Sequence, residues 1–362
     1  MGIFERFINR KNIRRFSAWQ IELTTRCPLK CTMCIKEEYK DFKRKDMSLD
    51  DFRKIVPYLK DVENVVLEGW GESLLHGHLT ECISLARQQG TKVGFVTSGM
   101  RLDYEYAKRI LDAGIGFIGF SLSGATPETH NSIRVNSDFD ALINSIRNFK
   151  VLTGKYTTSC APDIHIVYLM LKENIHELPA VIDIAKKIGI EEIVVLNIIQ
   201  ISNPSQYNKK IFSKNVEEKY RNLIKDASIK ARQAHIKLVL PGITPGTVPV
   251  CSENPLKNIY ISVEGEVSPC VFLCPPVPSP FKRIFSKEVC LVERVSFGNI
   301  FDEAFESIWN NDNYRDFRES FVKREMKYKQ IYRDFLELKI NQDMDIPHPP
   351  LPCRTCHKML GV

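Results

Sequence analysis

Between Trp19 and about Leu240 the chain alternates short runs of β-branched and aromatic residues with longer stretches whose apolar positions recur every three or four residues. The first kind predicts strands at 19–24, 63–68, 92–97, 115–121, 163–170 and 192–198. The second predicts helices at 49–60, behind Ser48 as N-cap, and at 77–90, 102–113, 138–149, 175–187 and 215–233. Six β/α units result, the alternation that builds a parallel sheet with crossover helices. Right-handed crossovers either spread helices over both faces or curl the sheet with every helice outside, and the pattern alone does not choose. In both cases ligands gather beyond the C-terminal ends of the strands.

Past Pro241 the style changes to Pro-Gly-Ile-Thr-Pro-Gly, a hairpin signal at Glu264-Gly265-Glu266, a Pro-rich stretch at 275–280, and helices from about 302. Three segments are expected: an N-terminal helical extension (1–18), an α/β unit (19–244) and a small α+β unit (245–362). Basic residues interleave with Phe4, Phe7, Ile8 and Ile13 over residues 3–16, which predicts an amphipathic helix packed on the main unit, with a membrane-surface helix as the alternative.

The chain has 362 residues and a formal net charge of +7, with Lys and Arg dispersed, so no nucleic-acid partner is implied. Its apolar runs are strand-sized, far below the ~20 residues of a membrane span. No secretion signal is read at the N-terminus. Eleven cysteines, clustered as CxxxCxxC and CxxC, fit metal ligation in a reducing cytoplasm better than disulfides. Cys82 reads as a small core residue; Cys160 sits in a polar loop without a partner.

Cys27, Cys31 and Cys34 follow directly after the first predicted strand. Three thiolates at this spacing suit three corners of a cubane whose fourth iron stays open, since [4Fe–4S] clusters normally take four. A structural zinc site completed by a distant ligand is the competing reading. The segment resembles the signature of the radical S-adenosylmethionine (SAM) superfamily, with Met33 where an aromatic is usual. That resemblance implies a partial (β/α)6 TIM-type barrel.

Further segments carry the resemblance. Trp70-Gly71-Glu72-Ser73 is similar to the family's Gly-Gly-Glu-Pro motif, which implies SAM contacts at Gly71 and Glu72. Ser98, Ser121, Ser123, Arg134 and Leu196, beside Asn197, fall at family positions for the SAM carboxylate, ribose and adenine. Helix capping by the serines, and a plain core place for Leu196, are the alternatives. His76, His78 and His165 lie at or near strand ends and read as turn or core residues.

In the C-terminal unit Cys251, Cys270, Cys353 and Cys356 supply four thiolates, which suit either Zn²⁺ or a [4Fe–4S] cluster. The pattern, with Gly298-Asn299-Ile300 and Ile308-Trp309, is similar to the SPASM and twitch extensions of radical SAM enzymes, which implies one auxiliary [4Fe–4S] cluster. His357 reads as a neighbour of that site, and Cys274 and Cys290 have no place in it. The resemblance implies reductive SAM cleavage, hydrogen abstraction from a peptide, protein or small molecule, and a flavodoxin or ferredoxin as electron donor. With about eighteen residues before the first strand, no fused leader-binding domain is expected. The residues assign no catalytic acid or base. A zinc-stapled tail, or a non-catalytic metal-stapled interaction protein, stands as the alternative.

Overall fold

The computed structural model describes residues 14–39, 42, 44–156, 161–337 and 344–362. Cys160 and all but the end of the expected 3–16 helix lie outside them. Thirteen strands occur among the described residues: β1 (Phe16–Ile21), β2 (Lys30–Cys31), β3 (Val62–Val66), β4 (Lys92–Thr97), β5 (Phe117–Leu122), β6 (Arg134–Val135), β7 (Asp163–Met170), β8 (Glu192–Asn197), β9 (Lys237–Val239), β10 (Asn258–Ile261), β11 (Val267–Ser268), β12 (Phe281–Phe285) and β13 (Glu288–Val292). The α-helices are α1 (Leu49–Ile55), α2 (Leu79–Gln88), α3 (Tyr104–Asp112), α4 (Pro127–Ile133), α5 (Phe139–Thr153), α6 (Leu178–Ile188), α7 (Pro204–Lys209), α8 (Glu218–Ala234), α9 (Phe305–Asn310) and α10 (Asp312–Leu336).

Nine strands form one sheet in the order β11-β10-β1-β3-β4-β5-β7-β8-β9, parallel except for the β10–β11 pair. From β1 to β9 the order follows the chain without reversal. Right-handed crossovers that never reverse keep their helices on one side of the sheet, which selects the curled, barrel-like arrangement over the doubly wound one.

Local chemistry sets the element ends. Ser48, Asp103 and Asp138 accept hydrogen bonds from the backbone N–H of Asp51, Tyr106 and Ala141, capping α1, α3 and α5. The helix expected over 49–60 is α-helical only to Ile55, because Pro57 has no N–H to donate, and it tightens into a 3₁₀ turn over Val56–Asp61. The first strand begins three residues earlier than expected. Phe16 is buried against Trp309, with ring centroids 4.9 Å apart, so the extended chain starts there rather than at Trp19.

The extension adds strands to the barrel sheet and keeps one separate hairpin, β12–β13. β10 pairs with β1 in parallel, and β10 and β11 form the hairpin expected at Gly265, whose φ is +84°. Trp19 and Phe305 pack with tilted rings 4.6 Å apart, so α9 closes over the outer side of β1. The β12–β13 hairpin, α4 and α7 were not among the expected elements.

Glu22, the residue after β1, ties these parts together. Its carboxyl accepts from the backbone N–H of Trp70 at 2.7 Å and of Val263 at 3.3 Å, joining β1, the turn after β3 and the extension. Burial pushes its pKa up to about 7. A carboxyl raised in the folded state contributes stability below its unfolded pKa and loses it as the pH climbs through the folded value. Between pH 6 and 8.5 this costs on the order of 1 kcal/mol. Glu22→Gln is expected to remove that share, so its stability should fall less steeply over this window than that of wild type in anaerobic chemical denaturation.

Candidate metal and cofactor sites

The loop after β1 is clamped before it reaches its first cysteine. Arg26 donates to Asp46 through Nε (2.8 Å) and Nη2 (2.5 Å), and Nη2 also reaches the carbonyl of Leu75 at 2.7 Å. Lys36 donates to the carbonyl of Leu29 at 2.8 Å inside the cysteine loop. The β2–β6 pairing sets Cys31 opposite Arg134. These bonds fix Cys27, Cys31 and Cys34 at the rim of a cavity of about 510 Å³. Burial raises the pKa of Cys27 and pushes that of Cys34 up to about 11, so a bare thiol is favoured there until a cation compensates the thiolate.

The same cavity is lined by Met33, Glu68, Trp70, Gly71, Glu72, Ser98, Ser121, Arg134, His165 and Leu196. Val167 and Leu169 with His165 on β7, and Val194 with Leu196 on β8, show the alternation that turns every second side chain inward. Leu196 is accordingly 39% exposed, facing the cavity instead of the core. Ser123 does not line it: fully buried, its Oγ accepts from Arg134 Nε at 2.8 Å and so orients the guanidinium. Asn197 donates to the Gly242 carbonyl and lies outside the lining.

Gly71 and Glu72 shape the wall. A Cβ at Gly71 would collide with the carbonyl oxygen of Thr24. Glu72 is saturated: Oε1 accepts from Thr97 Oγ1 (2.7 Å) and Leu74 N (3.3 Å), and Oε2 from Ser98 N (2.8 Å) and Oγ (2.6 Å). This carboxylate is a brace between the ends of β3 and β4. Trp70 lines the cavity, and its indole N–H is buried without a partner among the described residues.

Sequence reasoning missed Glu68, whose pKa is pushed up to about 7 by burial and then by the neighbouring carboxylates of Glu72 and Glu253. Its signal was present, a carboxyl ending the second barrel strand. Of the three flagged histidines only His165 lines the cavity. His76 is bonded to the Met47 carbonyl and His78 pairs with Glu81.

In the extension, burial and then the neighbouring thiolates raise the pKa of Cys251, Cys270 and Cys353, with Cys356 among those neighbours of each. Two buried arginines hold the loops that carry them. Arg283, 1% exposed, donates to the carbonyls of Phe272 (2.9 Å) and Pro352 (3.1 Å). Arg324, equally buried, donates to those of Val248 (2.7 Å), Pro249 (3.0 Å) and Pro347. No carboxylate pairs with either among the described residues, so two buried positive charges stand beside the thiols. Buried cations need an anion, and a metal–thiolate centre supplies one. Cys274 lies apart, donating to Glu266 at 3.5 Å, and Cys290 is on β13. Cys82 is buried in α2, and His357 is buried beside the last cysteine.

Among the described residues no three or more His, Cys, Asp or Glu close on a point that one ion would fill. The fit therefore rests on donor chemistry and surroundings. Both sets are all-thiol, the donor type that iron–sulfur clusters take, and no helix among the described residues is long and apolar enough to cross a membrane.

Comparisons with known proteins agree on the class. The family model of the radical SAM superfamily matches residues 21–185, and that of the SPASM iron–sulfur cluster-binding domain matches residues 251–357. A tungsten-containing aldehyde ferredoxin oxidoreductase cofactor-modifying protein of Pyrococcus furiosus is 24% identical over 347 residues, covering 93% of each chain. The crystal structure of Streptococcus suis SuiB bound to its precursor peptide SuiA is similar in fold, with a TM-score of 0.58 at 13% identity, covering 96% of this chain and 71% of SuiB. So is native anSMEcpe with bound AdoMet and the Cp18Cys peptide, with a TM-score of 0.60 at 16% identity, covering 84% and 83%.

The brace at Glu72 can be tested directly. Ser98→Ala removes one hydroxyl bond and should cost about 1 kcal/mol, while Glu72→Gln turns an amide N–H₂ toward donors and should cost about 2–3 kcal/mol, both read by anaerobic denaturation.

Proposed function

The chain belongs to the radical SAM superfamily and carries its iron–sulfur SPASM extension, and from that premise we propose that it cleaves SAM reductively and abstracts a hydrogen atom from a peptide, protein or small-molecule substrate. The observation that carries this reading is the meeting of three thiols, a serine-held guanidinium and an inward-facing leucine on one cavity at the strand ends. When bound, the cluster and SAM supply the hard step: one electron splits the C5′–S bond, giving methionine and a 5′-deoxyadenosyl radical.

The chain's own residues bind and orient. Cys27, Cys31 and Cys34 hold three irons as thiolates. Gly71, without a Cβ, lets the backbone of the wall come close to the ligand, and Glu72 with Ser98 keeps that wall rigid. Arg134 offers its guanidinium to a carboxylate, and Ser121 offers a hydroxyl to a ribose or carboxylate. Leu196 and Val194 give the adenine an apolar surface, and Met33 keeps water from the cluster. Glu68 holds an ionisable carboxyl in the same space. Cys251, Cys270, Cys353 and Cys356 hold the auxiliary cluster, with Arg283 and Arg324 balancing its charge.

Relatives bear on the substrate in two ways. The SuiB and anSMEcpe structures contain peptides, which supports a peptide substrate, while the Pyrococcus relative is named for modifying a cofactor, which supports a target carried by another enzyme. A flavodoxin or ferredoxin is the proposed electron donor. Zinc in the tail is the second reading, since four thiolates also suit that ion.

After anaerobic reconstitution the protein should hold about eight irons per chain and release 5′-deoxyadenosine with SAM and dithionite. A Cys27→Ala, Cys31→Ala, Cys34→Ala variant should keep about four irons and release none. Zinc in place of those remaining irons would select the second reading. Absence of 5′-deoxyadenosine from iron-replete wild type would overturn the first.

A further inference from the structure

We propose that the free edge of β13, with the lysine-rimmed pocket at its hairpin tip, docks an extended acidic peptide segment as a third strand. The inference rests on the reading that the substrate is a peptide or protein, and it assigns where a part of that chain remote from the reacting atom is held.

The hairpin turns at Ser286 and Lys287, both with positive φ (51° and 72°), which is a two-residue loop of the type that matches strand twist. Such a loop makes Phe285 and Glu288 a hydrogen-bonded pair, and bonding alternates from there. Ile284 with Val289, and Lys282 with Leu291, are then the non-bonded pairs, whose N–H and C=O groups point away from the hairpin.

On β12 those outward groups are satisfied. Ile284 N donates to the carbonyl of Ile201 at 2.7 Å, Lys282 N to the Tyr39 hydroxyl at 2.7 Å, and the Lys282 carbonyl accepts from Gln200 Nε2 at 3.3 Å. On β13 the outward groups of Val289 and Leu291 meet no partner among the described residues. Their side chains are 62% and 68% exposed. Natural sheets blunt such edges with charge, proline or cover, and this one presents two apolar side chains and an open row of donors and acceptors. That is the arrangement for strand addition.

Charge says what kind of strand. At the hairpin tip a pocket of about 320 Å³ is walled by Tyr207, Phe212, Phe285 and His357 and rimmed by Lys210, Lys214 and Lys287. Lys210 Nζ rests over the rings of Tyr207 and Phe212, 4.7 and 4.8 Å from their centroids. Burial, then the charges of Lys172 and Lys287, disfavour its protonated form. No carboxylate lies within ion-pair distance of Lys210 or Lys287 among the described residues. An Asp or Glu side chain entering the pocket would relieve that repulsion while its backbone pairs with β13. A small anion would answer the lysines but leave the edge unpaired, which is why the observations favour a peptide.

The test uses the reconstituted 362-residue chain and a random octapeptide display library selected under anaerobic conditions. The expected consensus alternates apolar residues and carries Asp or Glu toward one end. In fluorescence anisotropy the selected peptide should bind at least tenfold more weakly after N-methylation of one alternate set of amides and unchanged after methylation of the other. Leu291→Pro, and Lys210→Glu with Lys287→Glu, should each weaken it at least tenfold. Peptides without acidic residues, binding indifferent to both methylation sets, or full displacement by inorganic phosphate would each overturn the proposal, the last reducing the pocket to an anion site. Measuring 5′-deoxyadenosine release in parallel keeps the two readings apart: release without peptide selection removes only the docking edge, and selection without release removes only the SAM chemistry.

Discussion

A single buried carboxyl holds the working parts of this protein in register. Glu22 stands where β1 leaves the sheet, and it receives the backbone N–H of Trp70 from the cavity wall and of Val263 from the extension. A Cβ on Gly69 would strike its side chain, so the glycine is required for the turn to lie this close. Burying a carboxyl costs free energy unless its acceptors are used, and here each bond ties a different segment to the strand that launches the cysteine loop. The three-thiol rim, the wall of Gly71 and Glu72, and the extension thus share one anchor.

The two thiol sets are kept apart in electrostatic character. Around Cys27, Cys31 and Cys34 the positive groups are partly exposed: Lys36 is spent on backbone carbonyls and Arg26 on Asp46, so the rim can open to a ligand. Around the four extension thiols the positive groups are fully buried and bonded to the loops themselves. An arginine bonded to two or three loop carbonyls is held in place, so its charge stays fixed beside the thiols. One set lines an open cavity and the other is flanked by buried charge. This division follows from which residues supply the counter-charge and whether water reaches them.

Much of this was legible in the chain. The cysteine spacings, the β/α alternation and the glycine-rich turn after the second barrel strand are local patterns, and local patterns survive folding. What stayed hidden was set by distant partners. Phe16 extends β1 because Trp309 and Phe305 cover it from nearly three hundred residues away. Glu72 reads as a carboxylate for a ligand's ammonium until Thr97 and Ser98 claim its lone pairs. Ser123 resembles a ligand contact, yet lies one layer beneath, where it aims Arg134. The curl of the sheet was undecided because it depends on strand order, and strand order is not encoded in any one β/α unit.

The extension's place in the sheet bears on how its charges reach the cavity wall. β10 continues the barrel sheet past β1, and α9 seals the aromatic side of that strand, so the extension is continuous with the wall of the barrel. Glu68, at the end of β3, feels the charge of Glu253 near Cys251 as well as that of Glu72 beside the cavity. Charge in the extension is thus felt at the cavity wall, and the shared sheet fixes the spacing of barrel and extension that a flexible linker would leave free.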